Sequence, residues 1–453
     1  MDTAEYLLRK LKKQMDDVVI EVNSNTSTQL KFVDNKIVKT GTEQLRNLEI
    51  FAVKDKKIVN TGFRELAMPD DTLSTAALNV SKQKADELIR KLTKFSGFME
   101  PKEDYYGIGK GKNLKYKKIK EFYDKKVKDI DSVDYVEKAI NAALKEKARK
   151  ISGILENHES YRRILTSERV DISEIGTNLY LSLRAMFNEN ASGHVNTCSR
   201  VLKKFDVERC GKEAGKIAYM AKNPKEGNAG KYDVIFDPLA FAALLSDVGT
   251  CLGIFHVESG MSFLKDKIGQ EVGSKKVTLI DDALMVNGYG STSFDNEGMP
   301  TKKNVLVKDG ILKTYYHNTS SSRKYNVANT FNAGLLSPGS FNLELIKGSK
   351  SREKLISNID KGILVTNVWY TRFNNYHTGD FSTIPRDGMF LIKNGKIVKS
   401  IKHLRVSDNM LRMFKNIKEV GSNSEQIVSW EADGNLKCPS VFFGDVNVTK
   451  AKD

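Results

Sequence analysis

Six histidines, His158, His194, His256, His317, His377 and His403, are the side chains here best suited to metal or proton chemistry. No two of them stand four or five residues apart, the spacing at which two imidazoles on one helix face reach one ion. His256-Val257-Glu258 is the most suggestive local pair. It matches the H-x-E half of a zinc deaminase signature, in which His binds the metal and Glu shuttles protons. The other half would read P-C-x-x-C, whereas the chain offers Cys438-Pro439 in reverse order. Cys198, Cys210, Cys251 and Cys438 contain no C-x-x-C pair. Reduced, mostly buried thiols are therefore expected rather than a zinc knuckle or a disulfide framework. No phosphate loop and no G-x-S-x-G elbow occurs. Gly288-Tyr289-Gly290 lacks the third glycine of a dinucleotide fingerprint, and Asp281, Asp282, Asp295 and Asn296 lack EF-hand spacing. On motifs alone, no residue is assigned a catalytic, cofactor-binding or metal role.

Charge raises a different chemistry. The 453 residues carry 73 Lys plus Arg against 57 Asp plus Glu, a formal net charge of +16. The densest basic stretch, residues 110–128, holds nine Lys and two acids, with Tyr116, Phe122 and Tyr123 interleaved. That pattern could track phosphates and stack bases. Arg, the better partner for phosphate and guanine, is scarce at 17 against 56 Lys. The stretch instead reads as a linker around Gly107, Gly109 and Gly111 followed by a short amphipathic helix with a solvated Lys face. No run of 18 apolar residues exists, and the amino terminus has no signal-peptide pattern, so a cytoplasmic location is expected.

The elements that must position any site follow from periodicity. Asp2 or Thr3 caps a helix over about 3–15. Short strands at 18–22, 29–33, 36–40, 45–53 and 57–61 form a meander turned by Asp34-Asn35 and Asp55-Lys56. Asp70 caps a helix to about Lys94 that buries Leu73, Ala76, Ala77, Val80, Ala85 and Leu88. A second helix spans 133–151, strands return from 151 to 187, and another helix covers 207–222. Residues 223–230 are the clearest linker. A strand at 232–236 and a helix begun by Pro238 follow, and then mostly β-structure with hairpins at Asp309-Gly310, Asn394-Gly395 and Asp433-Gly434. The fold class is α+β. An amino-terminal α/β domain with mixed sheet occupies 1–225, including a Lys-rich connection near 105–130, and a β-rich domain occupies 226–453.

Many segments in order resemble the TldD/PmbA family, also called modulators of DNA gyrase. They are YDVIFDPLAFAALL (232–245), SFLKDKIGQEV (262–272), DDALMVNGYGSTSFDNEGMPTKKNVLVKDGIL (281–312), HTGDFS (377–382), DGMFLIKNGKIV (387–398) and DNMLRMFKNIKEVG (408–421). GHVNTCSR (193–200), CPSVFFGDVNV (438–448) and LRNLEIFAVKDKKIVNTGF (45–63) extend the likeness over nearly the whole chain. The resemblance implies two branches. TldD-like members are zinc peptidases with H-E-x-x-x-H on a helix, completed by a downstream Cys; PmbA-like or TldE-like members lack that site and pair with TldD.

At the equivalent helix this chain reads Leu244-Leu245-Ser246-Asp247-Val248-Gly249-Thr250-Cys251, without either His or the Glu. Cys438 falls later than the family's metal Cys, and Thr378-Gly379-Asp380-Phe381-Ser382 resembles the PmbA version. The resemblance therefore implies a non-catalytic, cytoplasmic PmbA/TldE-like subunit with no cofactor of its own. Zinc is expected in a TldD-like partner, with a homodimer as the other assembly, and peptide or unfolded polypeptide is the implied substrate. Strand addition to an exposed sheet edge is one way to hold it. Two other readings stay open: a stand-alone hydrolase with a divergent metal site at His256/Glu258, and a nucleic-acid binder using the Lys-rich stretch. Gly379 is expected in a turn at positive φ, with Asp380 accepting backbone hydrogen bonds. Asp281, Asp282 and Asp295 are expected as turn-forming, solvent-satisfied carboxylates. Asn287-Gly288-Tyr289-Gly290 should allow close backbone approach, and the glycine-rich loops could line a peptide-facing cleft.

Overall fold

The structure, a computed structural model, describes residues 2–67 and 81–451. Helix α1 (Thr3–Leu11) starts where the Asp2 carboxylate accepts from the Glu5 N–H at 2.8 Å. The chain then runs β1 (Asp17–Val33), β2 (Lys36–Lys54) and β3 (Lys57–Ala67). Asp34-Asn35 and Asp55-Lys56 turn the two hairpins with positive φ, as their types predict. The strands are longer than apolar alternation suggests. The β1–β2 ladder continues through the polar middle, where the Thr28 and Thr42 hydroxyls meet across strands at 3.0 Å.

Helix α2 (Lys82–Phe98) is capped by Ser81. The expected cap Asp70, with Leu73, Ala76, Ala77 and Val80, lies outside the described residues. Helix α3 (Ser132–Lys145) ends short of residue 151 because Lys147 turns left-handed, φ 71°, into the next strand. β4 (Lys150–Thr166), β5 (Asp171–Asn188) and β6 (Ala191–Ser199) complete a sheet of order β3-β2-β1-β4-β5-β6. Its alternation divides the work. Val18, Ile20, Leu48 and Ile50 pack under α1 and α2, whereas Leu155, Leu179, Leu181 and Leu183 pack under α3 and α4 (Val207–Met220).

The Lys-rich segment forms no amphipathic helix; apart from a 3₁₀ turn at Lys125–Val127 it is an irregular strap. Its apolar residues are anchored one at a time. Ile108, Ile119 and Val127 are buried, and the Tyr116 hydroxyl donates to the Gly298 carbonyl at 2.8 Å. The nine lysines of 110–128 are all exposed, as a solvated face requires. The expected linker at 223–230 is pinned as well. β7 (Lys225–Glu226) pairs in parallel with Ile401-Lys402.

The second half contains β8 (Gly230–Phe236), β9 (Leu279–Asp282), β10 (Lys303–Lys308), β11 (Ile311–Leu312), β12 (Leu343–Leu345), β13 (Lys361–Asn375) and β14 (Asp380–Lys393). It ends with β15 (Lys396–Lys402), β16 (Leu404–Asn409), β17 (Ile417–Val420), β18 (Glu425–Ser429), β19 (Ala432–Cys438) and β20 (Val441–Lys450). β13, β8, β20, β16 and β14 pair in a closed ring, since β14 returns to β13. A second sheet runs β11-β10-β9-β12-β19-β18. Asp309-Gly310 and Asn394-Gly395 turn hairpins as expected. Asp433-Gly434 instead lies inside β19, and Trp430-Glu431 makes the turn, closed by the Ser429–Ala432 pair.

The first sheet thus draws only on residues up to Ser199, and the other two only on residues from Lys225. Apolar contacts join the halves: Val19, Phe51 and Ile164 meet Phe294, and Ala191 and Ile217 meet Ile235 and Phe390. The architecture is α+β. Among the described residues no helix is long and apolar enough to cross a membrane.

Candidate functional site

Helix α5 (Pro238–Cys251) is apolar on every side and lies at the centre of the second half. Pro238 occupies its first turn, and Asp237 before it is held by the Arg352 guanidinium at 2.5 Å. Phe241, Leu244, Leu245 and Val248 are buried between the strand ring and the second sheet. Only the last two turns carry groups that could do chemistry: Ser246, Asp247 and Cys251, at i, i+1 and i+5. These are the offsets of H-E-x-x-x-H. The Ser246 hydroxyl donates to the Asp433 carbonyl at 2.9 Å. Burial pushes the Cys251 thiol up to about 12, so it stays protonated at neutral pH. Burial also raises the Asp247 carboxyl to about 7, although Arg372 opposes the shift.

Asp247 opens onto a cleft of about 420 Å³. Arg372 and Phe373 of β13 form one wall, with Tyr376 from the turn after it; Trp430, Glu431 and Asp433 from the β18–β19 hairpin form the other. The adjacent sheet edge is not free for strand addition. On β18 the Gln426 and Val428 carbonyls already accept from the Cys198 thiol and the Asn196 amide.

The histidines do not converge. His256 sits on the short helix α6 (Ile254–Glu258), where its ring is partly buried, and Glu258 is committed to Lys324 at 2.8 Å and the Tyr325 hydroxyl at 3.0 Å. His194 is buried and pushed down to about 4. Its Nε2 lies 2.9 Å from the Ser182 hydroxyl, and its Nδ1 lies 3.2 Å from the Asn367 amide nitrogen. That amide also donates to Asp387. An accepting Nδ1 leaves the proton on Nε2, which then donates to Ser182; this is the reverse of a general base. Among the described residues, no three His, Cys, Asp or Glu side chains gather as a metal site needs. All four cysteines are free and buried.

Residues 229–450 match the PmbA/TldA metallopeptidase C-terminal domain. A metalloprotease TldD homolog from Buchnera aphidicola is 26% identical across 92% of this chain and 91% of its own length. The second half of the chain is a TldD/PmbA-family domain. The metalloprotease PmbA of Escherichia coli O157:H7 is 23% identical over 72% of this chain and 71% of its own. TldE from Thermococcus kodakarensis shares the fold, with a TM-score of 0.84 at 21% identity over 99% of this chain and 100% of that one.

The TldD/PmbA-like loops are held by internal hydrogen bonds. Gly379 adopts φ 84°, as its turn requires. Asp380 accepts from side chains, Thr378 Oγ1 at 2.6 Å and Asn409 Nδ2 at 2.9 Å, rather than from the backbone. In that turn the His377 and Thr378 N–H groups donate to Asn375 Oδ1 and the Gly379 N–H to the Asn375 carbonyl. Gly290 does allow close approach, since a Cβ there would stand 2.2 Å from the Phe341 carbonyl oxygen. The loop lines no part of the Asp247 cleft. Arg200, the last residue of the GHVNTCSR segment and given no role by motif or spacing, clamps the loop to the first half. It donates to the carbonyls of Gly288 at 2.6 Å and of Tyr289 and Ser291 at 2.8 Å.

Asp281 and Asp295, expected in solvent, are fully buried. Both are satisfied internally. Asp281 accepts from the Phe341 and Asn342 N–H groups and the Asn332 amide, and Asp295 from Glu297, Met299 and Ala333 N–H groups. Glu297, also buried, holds the strap to the second half by accepting from Gly109 N–H at 3.0 Å. Desolvation and the nearby Asp295 carboxylate raise its pKa, so the pair carries a proton at neutral pH, on Glu297, which has fewer donors.

A carboxyl group raised in the folded state stabilises most below its unfolded pKa and loses that contribution as pH climbs through the folded one. Stability should therefore decline from about pH 5 to 8 in urea titrations. Glu297→Gln, which stays neutral and keeps an acceptor for Gly109, should flatten that slope by roughly 1–2 kcal/mol. An unchanged slope would dismiss the shared proton.

Proposed function

We propose that this chain is the non-catalytic, PmbA/TldE-like subunit of a cytoplasmic TldD/TldE-type metallopeptidase, holding peptide while a TldD-like partner supplies zinc. One observation carries the reading: α5 offers Ser246, Asp247 and Cys251 at the offsets where H-E-x-x-x-H would hold zinc. Zinc needs three or four converging nitrogen, thiolate or carboxylate donors. A serine hydroxyl, one thiol and one carboxyl do not fit it, since among the described residues no third His, Cys, Asp or Glu converges with them. What remains at this place is a cleft with an aromatic wall beside a carboxyl group, suited to holding a chain rather than cutting it. The division between the domains near residue 225 belongs to the same reading, supported by the way the sheets separate there.

The test is reconstitution. The purified chain alone should neither cleave an unstructured peptide nor carry stoichiometric zinc. Mixed with a TldD-like subunit, it should co-elute with that subunit and raise cleavage severalfold or more. Stoichiometric zinc in this chain that vanishes on His256→Ala would favour the stand-alone hydrolase instead. Cleavage by the partner that ignores this chain would end the proposal.

A further inference from the structure

The Asp247 cleft carries more charge and more aromatic surface than a neutral peptide groove needs. Asp247 Oδ2 is buried and has no hydrogen-bond partner, an unfavourable state for a carboxyl oxygen. It lies near the C-terminal end of α5, where the helix dipole adds negative potential. Arg372 is the cation among the lining residues, yet its guanidinium sits 4.6 Å from the Tyr370 ring centroid and donates to the Thr371 carbonyl. Glu431 spends Oε2 on the Tyr370 N–H at 3.1 Å, and Asp433 stands exposed at the mouth.

Three carboxyl groups from two elements therefore face one occupied guanidinium. Phe373 and Tyr376 form a continuous aromatic wall, with ring centroids 4.8 Å apart. Tyr376 is 40% exposed, and Trp430 across the cleft is 60% exposed. Aromatic faces around a carboxylate are the surroundings in which a cation is held.

We infer that this cleft receives a primary ammonium group of the peptide, an N-terminal amine or a lysine side chain, between the aromatic wall and Asp247. The inference rests on the reading of the chain as a peptide-holding subunit. An ammonium group is a compact charge with three donors and can answer carboxylates arriving from different directions, whereas the planar guanidinium fork suits one bidentate partner. The incoming charge would complete the unpaired Asp247 oxygen and favour its ionised form. Binding should therefore strengthen as pH rises through about 7, with Arg372, Glu431 and Asp433 setting the local field. An N-terminal amine, titrating near 7.7–8.0, would then lose affinity again above about pH 8, while a lysine would hold it to about pH 10.

The experiment measures fluorescence anisotropy of three unstructured dodecapeptides, labelled at the C-terminus, on the full chain. One has a free N-terminus and no Lys, one is N-acetylated without Lys, and one is N-acetylated with a single central Lys. A cation-bearing peptide should bind about tenfold or more tightly than the acetylated Lys-free one. Which of the two does so, with its pH profile, identifies the source of the ammonium group. Asp247→Asn should erase the preference without loss of fold, because it removes charge from an oxygen that has no partner. Trp430→Ala, at an exposed hairpin tip, should reduce it independently.

Equal binding of all three peptides, or a preference that survives Asp247→Asn, overturns the assignment. If the TldD-like partner still depends on this chain in that case, only the ammonium site fails. Loss of both peptide binding and that dependence removes the parent proposal as well.

Discussion

Arg200→Ala is expected to lower the stability of the folded chain by about 3–5 kcal/mol, read as a fall in the urea midpoint. Arg200 is 5% exposed, and its guanidinium stacks 4.2 Å from the Phe122 ring centroid while bonding three carbonyls of the 288–291 turn. Burial lowers its pKa to about 10 and still leaves it charged at neutral pH. Truncation leaves the Ser291 carbonyl without its donor, takes one of two donors from the Gly288 and Tyr289 carbonyls and unseats Phe122, so the loop keeps only the Asn287 contacts to the end of β6. Arg200→Lys should recover little, since one ammonium cannot reproduce the planar fork toward three acceptors. A midpoint within experimental error of the parent would show that the clamp is dispensable.

Gly211→Leu is expected to be as damaging, about 3–5 kcal/mol, for the opposite reason. Gly211 and Gly215 on α4 lie against Ala139 and Ala143 on α3, one small residue per turn on each helix. A Cβ at Gly211 would stand 2.0 Å from the Ala139 carbonyl oxygen, and at Gly215 2.6 Å from that of Ala143. Backbone cannot yield as a flexible side chain can, so the helices must separate and open the core formed with Leu179, Leu181 and Leu183. Gly97→Ala on α2 is the control. An added Cβ there meets no described atom within 4 Å, and helix propensity should make the change neutral or stabilising by about 0.5–1 kcal/mol. Similar losses at both positions would refute close packing as the cause.

Legibility in the sequence followed how local each cause is. Asp34-Asn35 and Asp55-Lys56 encode left-handed turns in their own side chains, and both hairpins appear where expected. Pro238 begins α5 because its fixed φ and missing donor suit a first turn. Asp433-Gly434 carries a similar turn signal, yet the β18–β19 register puts the reversal at Trp430-Glu431. The Lys-rich strap failed as a helix because its apolar residues are buried at separate places, Ile108 and Val127 in different clusters. Asp281 and Asp295 read as surface residues since carboxylates usually are; the backbone donors that allow their burial come from residues up to 61 positions away.

For the candidate site the same division holds. The sequence by itself determined which chemistry α5 can offer, because ligand identity is a property of the residue: Ser246, Asp247 and Cys251 stand there, with no histidine. Only the tertiary structure decided that Asp247 faces Trp430, Tyr376 and Phe373 across a cleft, and that Arg200 ties the glycine-rich loop to the other half. Those pairings join residues from 88 to 183 positions apart along the chain. Neither periodicity nor motif spacing reaches that far, since both describe neighbours along one element while burial and charge are set by whatever the folded chain brings alongside.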